Sequence, residues 1–266
     1  MNHWHMYSFR YSFLMLLVFW LFIGGSLNAY SQDEINAQHI LEKADESRAP
    51  WGDFSMNVMI ENVDNRNNNT KHLFRVFIKD YIKSIVYYLY PIKQRGNLLL
   101  MVGDDLWFYV YRTQRPVRIT PIQKLTGGAS YGDVSRLSWS IDYIVDSLSE
   151  ERVMINEKIY DSLLLKLMAR SKSATYNKID LYVDKKTFLP LKSFVYLFSG
   201  KKMKTIYYTG FSKIAGKTMN TKVEIVDHLS DEKKTVMLFS DVEIKKVPER
   251  FFIKSNLHEL SGSIVQ

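Results

Sequence analysis

The chain has 266 residues, with 36 Lys and Arg against 28 Asp and Glu and a formal net charge of +8. It contains no cysteine, which excludes disulfides, thiolate metal sites and a cysteine nucleophile. It also excludes a lipid-modified cysteine behind an export signal, so the mature chain is expected to be soluble rather than a lipoprotein.

Residues 1–31 have the three-part layout of a signal peptide. Arg10 precedes an uninterrupted apolar run from Phe13 to Ile23, and Gly24, Gly25 and Ser26 end it. Ala29 and Ser31 then supply the small residues that a signal peptidase reads. The run is shorter than the roughly 20 residues that a helix needs to cross a bilayer. An uncleaved anchor, lengthened by Tyr11 and Ser12, is the competing reading. Cleavage leaves residues 32–266, acting outside the cytoplasm, where nucleic acid is not an expected partner. No long Ser, Pro or Gly linker divides this part, so a single domain is expected.

Residues 33–48 have helical spacing through Ile35, Ile40, Leu41 and Ala44, and Pro50 and Gly52 stop the pattern. After that the period changes. The runs 54–63, 73–78, 82–90, 98–102 and 106–111 carry β-branched and aromatic residues between turn signals. Residues 120–150 differ, with a loop around Pro121, Gly127, Gly128 and Gly132 and one helical turn at 133–137. Ile141, Ile144, Val145 and Leu148 predict a helix over 139–148. Strands are then expected at 159–169, 177–183, 188–198, 203–211, 218–229 and 234–244, and a terminal segment follows Pro248. The total is about eleven strands and about three helices, a mainly β chain with helices (α+β) whose strands meander antiparallel. The lysine pairs at 185–186, 201–202, 233–234 and 245–246 fall between apolar runs, where charge blocks edge association. Attraction to an anionic membrane surface is their functional alternative.

Few patterns point to catalysis. Gly128-Ala129-Ser130-Tyr131-Gly132 matches the G-x-S-x-G nucleophile elbow. The elbow needs a buried strand before it and a helix after it, and Pro121, Gln123, Lys124 and Thr126 make a poor strand. His228 or His258 as base, with Asp180 or Asp227 as its partner, has no spacing to support it. A Ser130 hydrolase therefore ranks last among the readings. His39, His72, His228 and His258 are scattered without metal-ligand spacing, and no phosphate-cradling glycine motif occurs, so neither metal nor cofactor is expected. Asn68-Asn69-Thr70 fits a glycosylation acceptor by chance in an Asn-rich loop.

The stretch 91–120 stands apart. Gly103-Asp104-Asp105 joins two strands of a hairpin. Leu98, Leu100 and Val102 share one face of the first strand, and Leu99 and Met101 share the other. In the second strand Trp107, Tyr109 and Tyr111 oppose Leu106, Phe108 and Val110. Both faces are apolar, so both require cover. Such a stripe fits either a plain core hairpin or one wall of an apolar cavity.

This stretch resembles the outer-membrane lipoprotein-sorting family, the LolA-like periplasmic carriers. The resemblance rests on Pro91, Arg95-Gly96, Leu98-Leu99-Leu100-Met101 and Gly103-Asp104-Asp105-Leu106-Trp107-Phe108-Tyr109. It continues through Arg112, Arg115, Arg118-Ile119 and Gly127-Gly128-Ala129-Ser130-Tyr131-Gly132-Asp133. Ile40–Ala44, Asp180–Asp184 with Leu189-Pro190, Pro248 and Phe251 also fit. It is strongest over residues 91–137.

The resemblance implies a highly curved antiparallel sheet, an open half-barrel, with helices covering its concave face. It implies a lipid or lipoprotein acyl chain as cargo, shuttled towards the outer membrane by a monomer. A protein of the inner or outer membrane would donate or accept that cargo. Relatives that sense lipoprotein in stress signalling, or accompany lipid-exporting pumps, supply the alternative of an adaptor that binds a membrane protein. The candidate lipid-contacting residues are Leu99, Met101, Leu106, Trp107, Phe108, Tyr109 and Tyr111, with Trp107, Phe108 and Tyr109 expected to be mostly buried. An acyl chain needs a dry cavity rather than catalytic groups, since each buried CH₂ contributes roughly 0.8 kcal/mol.

Overall fold

The computed structural model describes residues 29–63, 69–230 and 234–265. The export segment through Asn28, and Asn68 of the glycosylation pattern, lie outside the described residues. Helix α1 (Ala29–Asp45) precedes strands β1 (Phe54–Val63), β2 (Thr70–Lys79), β3 (Lys83–Tyr90), β4 (Leu98–Val102), β5 (Asp105–Val110) and β6 (Arg115–Arg118). A small hairpin of β7 (Lys124–Thr126) and β8 (Ala129–Ser130) leads into α2 (Tyr131–Ser135) and α3 (Trp139–Asp142). Then come β9 (Tyr143–Ile155), β10 (Lys158–Ala169), β11 (Lys178–Asp184) and β12 (Pro190–Tyr196). Strands β13 (Lys202–Ile214), β14 (Lys217–Asp227) and β15 (Lys234–Glu243) complete the meander. Two 3-10 turns and helix α4 (Leu257–Val265) finish the described chain.

Thirteen strands form one antiparallel sheet in the order β6-β5-β4-β3-β2-β1-β15-β14-β13-β12-β11-β10-β9. The chain enters at the middle, runs out to β6, crosses to β9 and meanders back. The two halves join where β1 pairs with β15, from Ser55 opposite Glu243 to Val63 opposite Lys234. The expected antiparallel half-barrel is therefore what forms, with more strands than the residue pattern separates.

Both free edges are blunted. Strand β6 carries exposed Arg115 and Arg118, and Pro116 removes one donor. Strand β9 exposes Asp146, Glu150, Glu151 and Arg152. These charges oppose pairing with another chain.

The expected helix 139–148 is corrected. Only Trp139–Asp142 is helical, and Tyr143 onward is an edge strand paired with β10, from Tyr143 opposite Ala169 to Ile155 opposite Lys158. The apolar spacing that suggested a helix is met by chance, and Ile141 and Ile144 are 43% and 45% exposed. A long ladder to β10 outweighs a weak local preference.

Alternate side chains sort onto two faces. Val86, Leu99 and Leu106 from one end of the sheet join Leu165, Leu181 and Val195 from the other in one core, together with Leu41, Ala44, Val134 and Trp139. Strands so far apart in the sheet can share a core with the helices only if the sheet wraps around them. That face is the concave one. On the convex face, Ile85, Tyr87, Leu98, Leu100 and Tyr109 are covered by Val247, Phe252, Leu257 and Leu260 of the C-terminal segment.

Helix α1 buries Ile40, Leu41 and Ala44 on one stripe, as the spacing predicts, together with Ala37. The Ile35 side chain lies outside the described residues, and the helix starts earlier than residue 33. The link between α2 and α3 is tied down by Arg136. Its Nε donates to Asp142 Oδ2 at 2.9 Å, Nη2 reaches the other carboxylate oxygen, and Nη1 donates to the Gly103 carbonyl at 2.9 Å. The fork thus joins the helical cover to the β4–β5 turn.

Leu41 is fully buried where α1 meets the sheet. Leu41→Ala is expected to lower stability by about 2–5 kcal/mol in denaturant titration, through lost burial and the cavity left behind.

Candidate functional site

A narrow pocket, with about 40 Å³ of enclosed space and partly open to solvent, lies between the concave face and the helical cover. Its wall is built by inward-facing alternate residues of four strands. Met56 comes from β1, Ile206 and Tyr208 from β13, Met219, Val223 and Ile225 from β14, and Met237 and Phe239 from β15. Leu137, between α2 and α3, and Arg48, just past α1, border the same space. Met56, Met219 and Met237 are each almost wholly buried. Unbranched thioether side chains adapt to irregular shapes, so this wall can repack around an apolar guest.

A polar knot fastens the cover beside this pocket. Lys204 projects from β13 with its side chain only 2% exposed. Its Nζ donates to Ser130 Oγ at 2.7 Å and to the Tyr176 hydroxyl at 2.8 Å, and lies 3.3 Å from Asp133 Oδ2. Tyr176 donates in turn to Asp133, at 2.7 and 2.9 Å to the two carboxylate oxygens. Burial, with the Asp133 carboxylate alongside, holds the Tyr176 phenol well above its ordinary range, so it stays a neutral donor. Ser130 and Asp133 also form a capping box at the start of α2, with Ser130 N–H donating to Asp133 at 2.8 Å.

This knot explains the G-x-S-x-G pattern without an elbow. Ser130 is 1% exposed and faces Lys204. A Cβ on Gly132 would lie 2.0 Å from Thr175 Oγ1, and one on Gly128 would lie 3.2 Å from Ile225. The glycines let the loop press onto the sheet. Of the base candidates, His228 bonds Thr205 at 2.7 Å and His258 bonds Tyr109 at 3.2 Å. Asp180 accepts from Tyr196, and Asp227 from Leu229 and Ser230. No hydrogen bond links any of these four to Ser130 among the described residues. His72 packs flat on Phe74, and burial lowers its pKa.

A second device sits at the end of α1. Asp45 accepts from Trp139 N–H at 2.8 Å, Ser140 N–H at 2.6 Å and the Ser138 hydroxyl at 2.9 Å. It thereby fixes α1 to the start of α3. Desolvation raises the Asp45 pKa, against the lowering effect of Arg48. Burial pushes the Tyr208 phenol up to about 12, and it bonds Ser193 at 3.1 Å.

The seven hairpin candidates do not gather at this pocket. Leu99, Met101, Leu106 and Phe108 lie in the concave core, while Trp107 and Tyr109 lie on the convex face. Tyr109 is 1% exposed, whereas Trp107, Phe108 and Tyr111 are half-buried. Trp107 has only the C-terminal segment over it, with Lys254 Nζ 4.1 Å from its ring centroid. Phe108 packs against Tyr88 and Tyr131. The pocket wall comes instead from β1, β13, β14 and β15, outside that stretch. The alternation of Met219, Val223 and Ile225 in β14 was the available signal. An open groove of about 830 Å³ also lies on the convex side, between Phe77, Tyr87 and Phe251.

Among the described residues, no cluster of His, Asp or Glu could hold a metal ion, and no helix is long and apolar enough to cross a membrane.

Comparison with known proteins bears on this geometry. A family model described only as an uncharacterized protein matches residues 81–259. No curated protein sequence matches the chain. The crystal structure of a LolA superfamily protein from Nitrosomonas europaea is 32% identical, with a TM-score of 0.73. The match covers 82% of this chain and 98% of that one. An outer membrane lipoprotein-sorting protein domain from Vibrio parahaemolyticus is 19% identical, with a TM-score of 0.69, and 83% and 97% of the two chains are covered. A DUF1329 family protein from Desulfovibrio piger is 16% identical, with a TM-score of 0.68, and 84% and 98% are covered. The last two share the fold.

Lys204→Met leaves the buried Asp133 carboxylate without its cation and is expected to cost about 3–5 kcal/mol in urea titration. Lys43→Met, which breaks the exposed pair with Glu46, is expected to cost less than about 1 kcal/mol in the same assay.

Proposed function

This chain belongs to the LolA superfamily, and we propose that it is a periplasmic carrier that shelters one acyl chain of a lipid or lipoprotein in its concave pocket. The observation that carries this reading is the pocket itself. Flexible apolar side chains line it on the sheet side, and short helices tied on by buried polar contacts close the other. Apolar burial alone suffices to hold such cargo, at roughly 0.8 kcal/mol per CH₂.

Loading requires the cover to move, and the cover is suited to that. Helices α2 and α3 are short; α2 is fastened to the sheet through side-chain bonds, whereas α3 runs directly into β9 and can move only by hinging there. A conformation with the cover lifted would be favoured by cargo that binds it better, in line with population shift. The export segment read from residues 1–31 would place the carrier between two membranes, and the absence of cysteine would leave it free to diffuse. A membrane protein that accepts the chain would complete the transfer.

The test is native mass spectrometry of mature protein incubated with vesicles, together with a displacement assay using a neutral fluorescent apolar probe. Wild type is expected to retain one lipid or acyl chain per protein. Ile225→Trp, which fills the pocket from β14, is expected to weaken probe binding by roughly tenfold or more. Unchanged probe affinity in Ile225→Trp would contradict a site in this pocket.

A further inference from the structure

Arg48 occupies an unusual position. It follows α1 in a tight turn, with its N–H bonded to the Asp45 carbonyl at 2.8 Å. Its side chain is 15% exposed and borders the apolar pocket. The guanidinium carbon lies 3.9 Å from the centroid of the Trp139 ring. Stacking of this kind fixes the guanidinium plane and leaves its edge N–H groups for a ligand.

Nη1 is buried and makes no hydrogen bond. The nearest carboxylate, Asp45, is 3.9 Å away, too far for one, and already accepts three other donors. The other acidic group at the pocket, Asp133, is engaged by Lys204 and Tyr176. A buried N–H without an acceptor is costly, and the Trp139 ring and the Asp45 carboxylate at 3.9 Å offset the charge but leave the hydrogen bond unmade. Almost every other buried side-chain polar atom among the described residues has found a partner; Tyr88 Oη is the second exception.

We propose that Arg48 is a head-group site, and that the preferred guest of the pocket is a single-chain amphiphile ending in a carboxylate, of the fatty-acid class. This rests on the carrier reading above and narrows its cargo. The apolar wall would take the chain, and the open guanidinium edge would take the carboxylate. A single negative charge fits best, since Asp45 and Asp133 border the same region and would oppose a dianion. The enclosed space is only about 40 Å³, well below the roughly 300–1,000 Å³ of filled small-molecule sites, so the cover must move to admit even one chain. An anion there would also supply the missing acceptor.

The experiment compares laurate, lauryl alcohol and methyl laurate in displacing a neutral fluorescent probe, at a pH where laurate is ionised. Wild type is expected to prefer laurate over the other two by roughly tenfold or more, the effect of a buried charge-assisted hydrogen bond. Arg48→Met is expected to lose that preference while still binding lauryl alcohol. Arg48→Lys keeps the charge and is expected to retain part of it. Equal binding of the three by wild type overturns the head-group site and leaves the carrier reading standing. A preference that survives in Arg48→Met overturns it likewise. If wild type binds none of the three, the carrier reading fails with it. The wild-type comparison needs no variant, so loss of folding in Arg48→Met cannot mask the answer.

Discussion

Lys204 places an ammonium in a cup whose walls are largely apolar, and much of the architecture answers to it. Burying such a charge is tolerable only when it is paired and its donors are filled. Ser130, Asp133 and Tyr176 meet it, and they come from two separate connections, the loop into α2 and the loop between β10 and β11. One strand residue therefore sets where both connections rest on the sheet. Gly128 and Gly132 then follow as necessities of close approach, and Arg136 and Asp45 repeat the same device farther along the cover. The cover is held by a few polar contacts over an apolar floor. That combination favours one closed arrangement without filling the space beneath it.

The sheet supplies the complementary constraint. Thirteen strands with right-handed twist must curl, and curling gives them a concave face that two or three short helices cannot fill. Charge on β6 and β9, and Pro116 on β6, discourage either edge from recruiting another strand. The consequence is a core that is tight around α1 and looser towards β13, β14 and β15, where three methionines make up the difference.

Much of this was legible from the residues. The alternation along 98–111 separated Leu99 and Met101 from Leu98 and Leu100, and Leu106 and Phe108 from Trp107 and Tyr109. The packing keeps both separations, while the pairing of the strands decides which sets share a face. The apolar stripe of α1 was equally plain. Period-2 reading succeeds there because turn chemistry at Gly103 and Asp105 fixes the register. Residues 139–148 misled because four apolar positions, Ile141, Ile144, Val145 and Leu148, happen to fit a helical period while β10 offers a longer ladder from Tyr143 onward. Strand β6 was hidden by its own charges, which make an edge strand look like a loop. The pocket was beyond reach for a different reason. Its wall gathers Met56, Ile206, Ile225 and Met237 from distant parts of the chain, and no local pattern reports their convergence. Arg48 carries no sequence signal at all; only its unfilled Nη1 marks it.

The central claim is that the concave pocket, rather than the convex groove, is where cargo sits. A crystal structure of the mature protein grown with a long-chain amphiphile tests it most directly. The account predicts the chain in contact with Met219, Ile225 and Met237, with α2 and α3 displaced or repacked above it. A chain lying between Phe77, Tyr87 and Phe251, over an unaltered concave core, would contradict it.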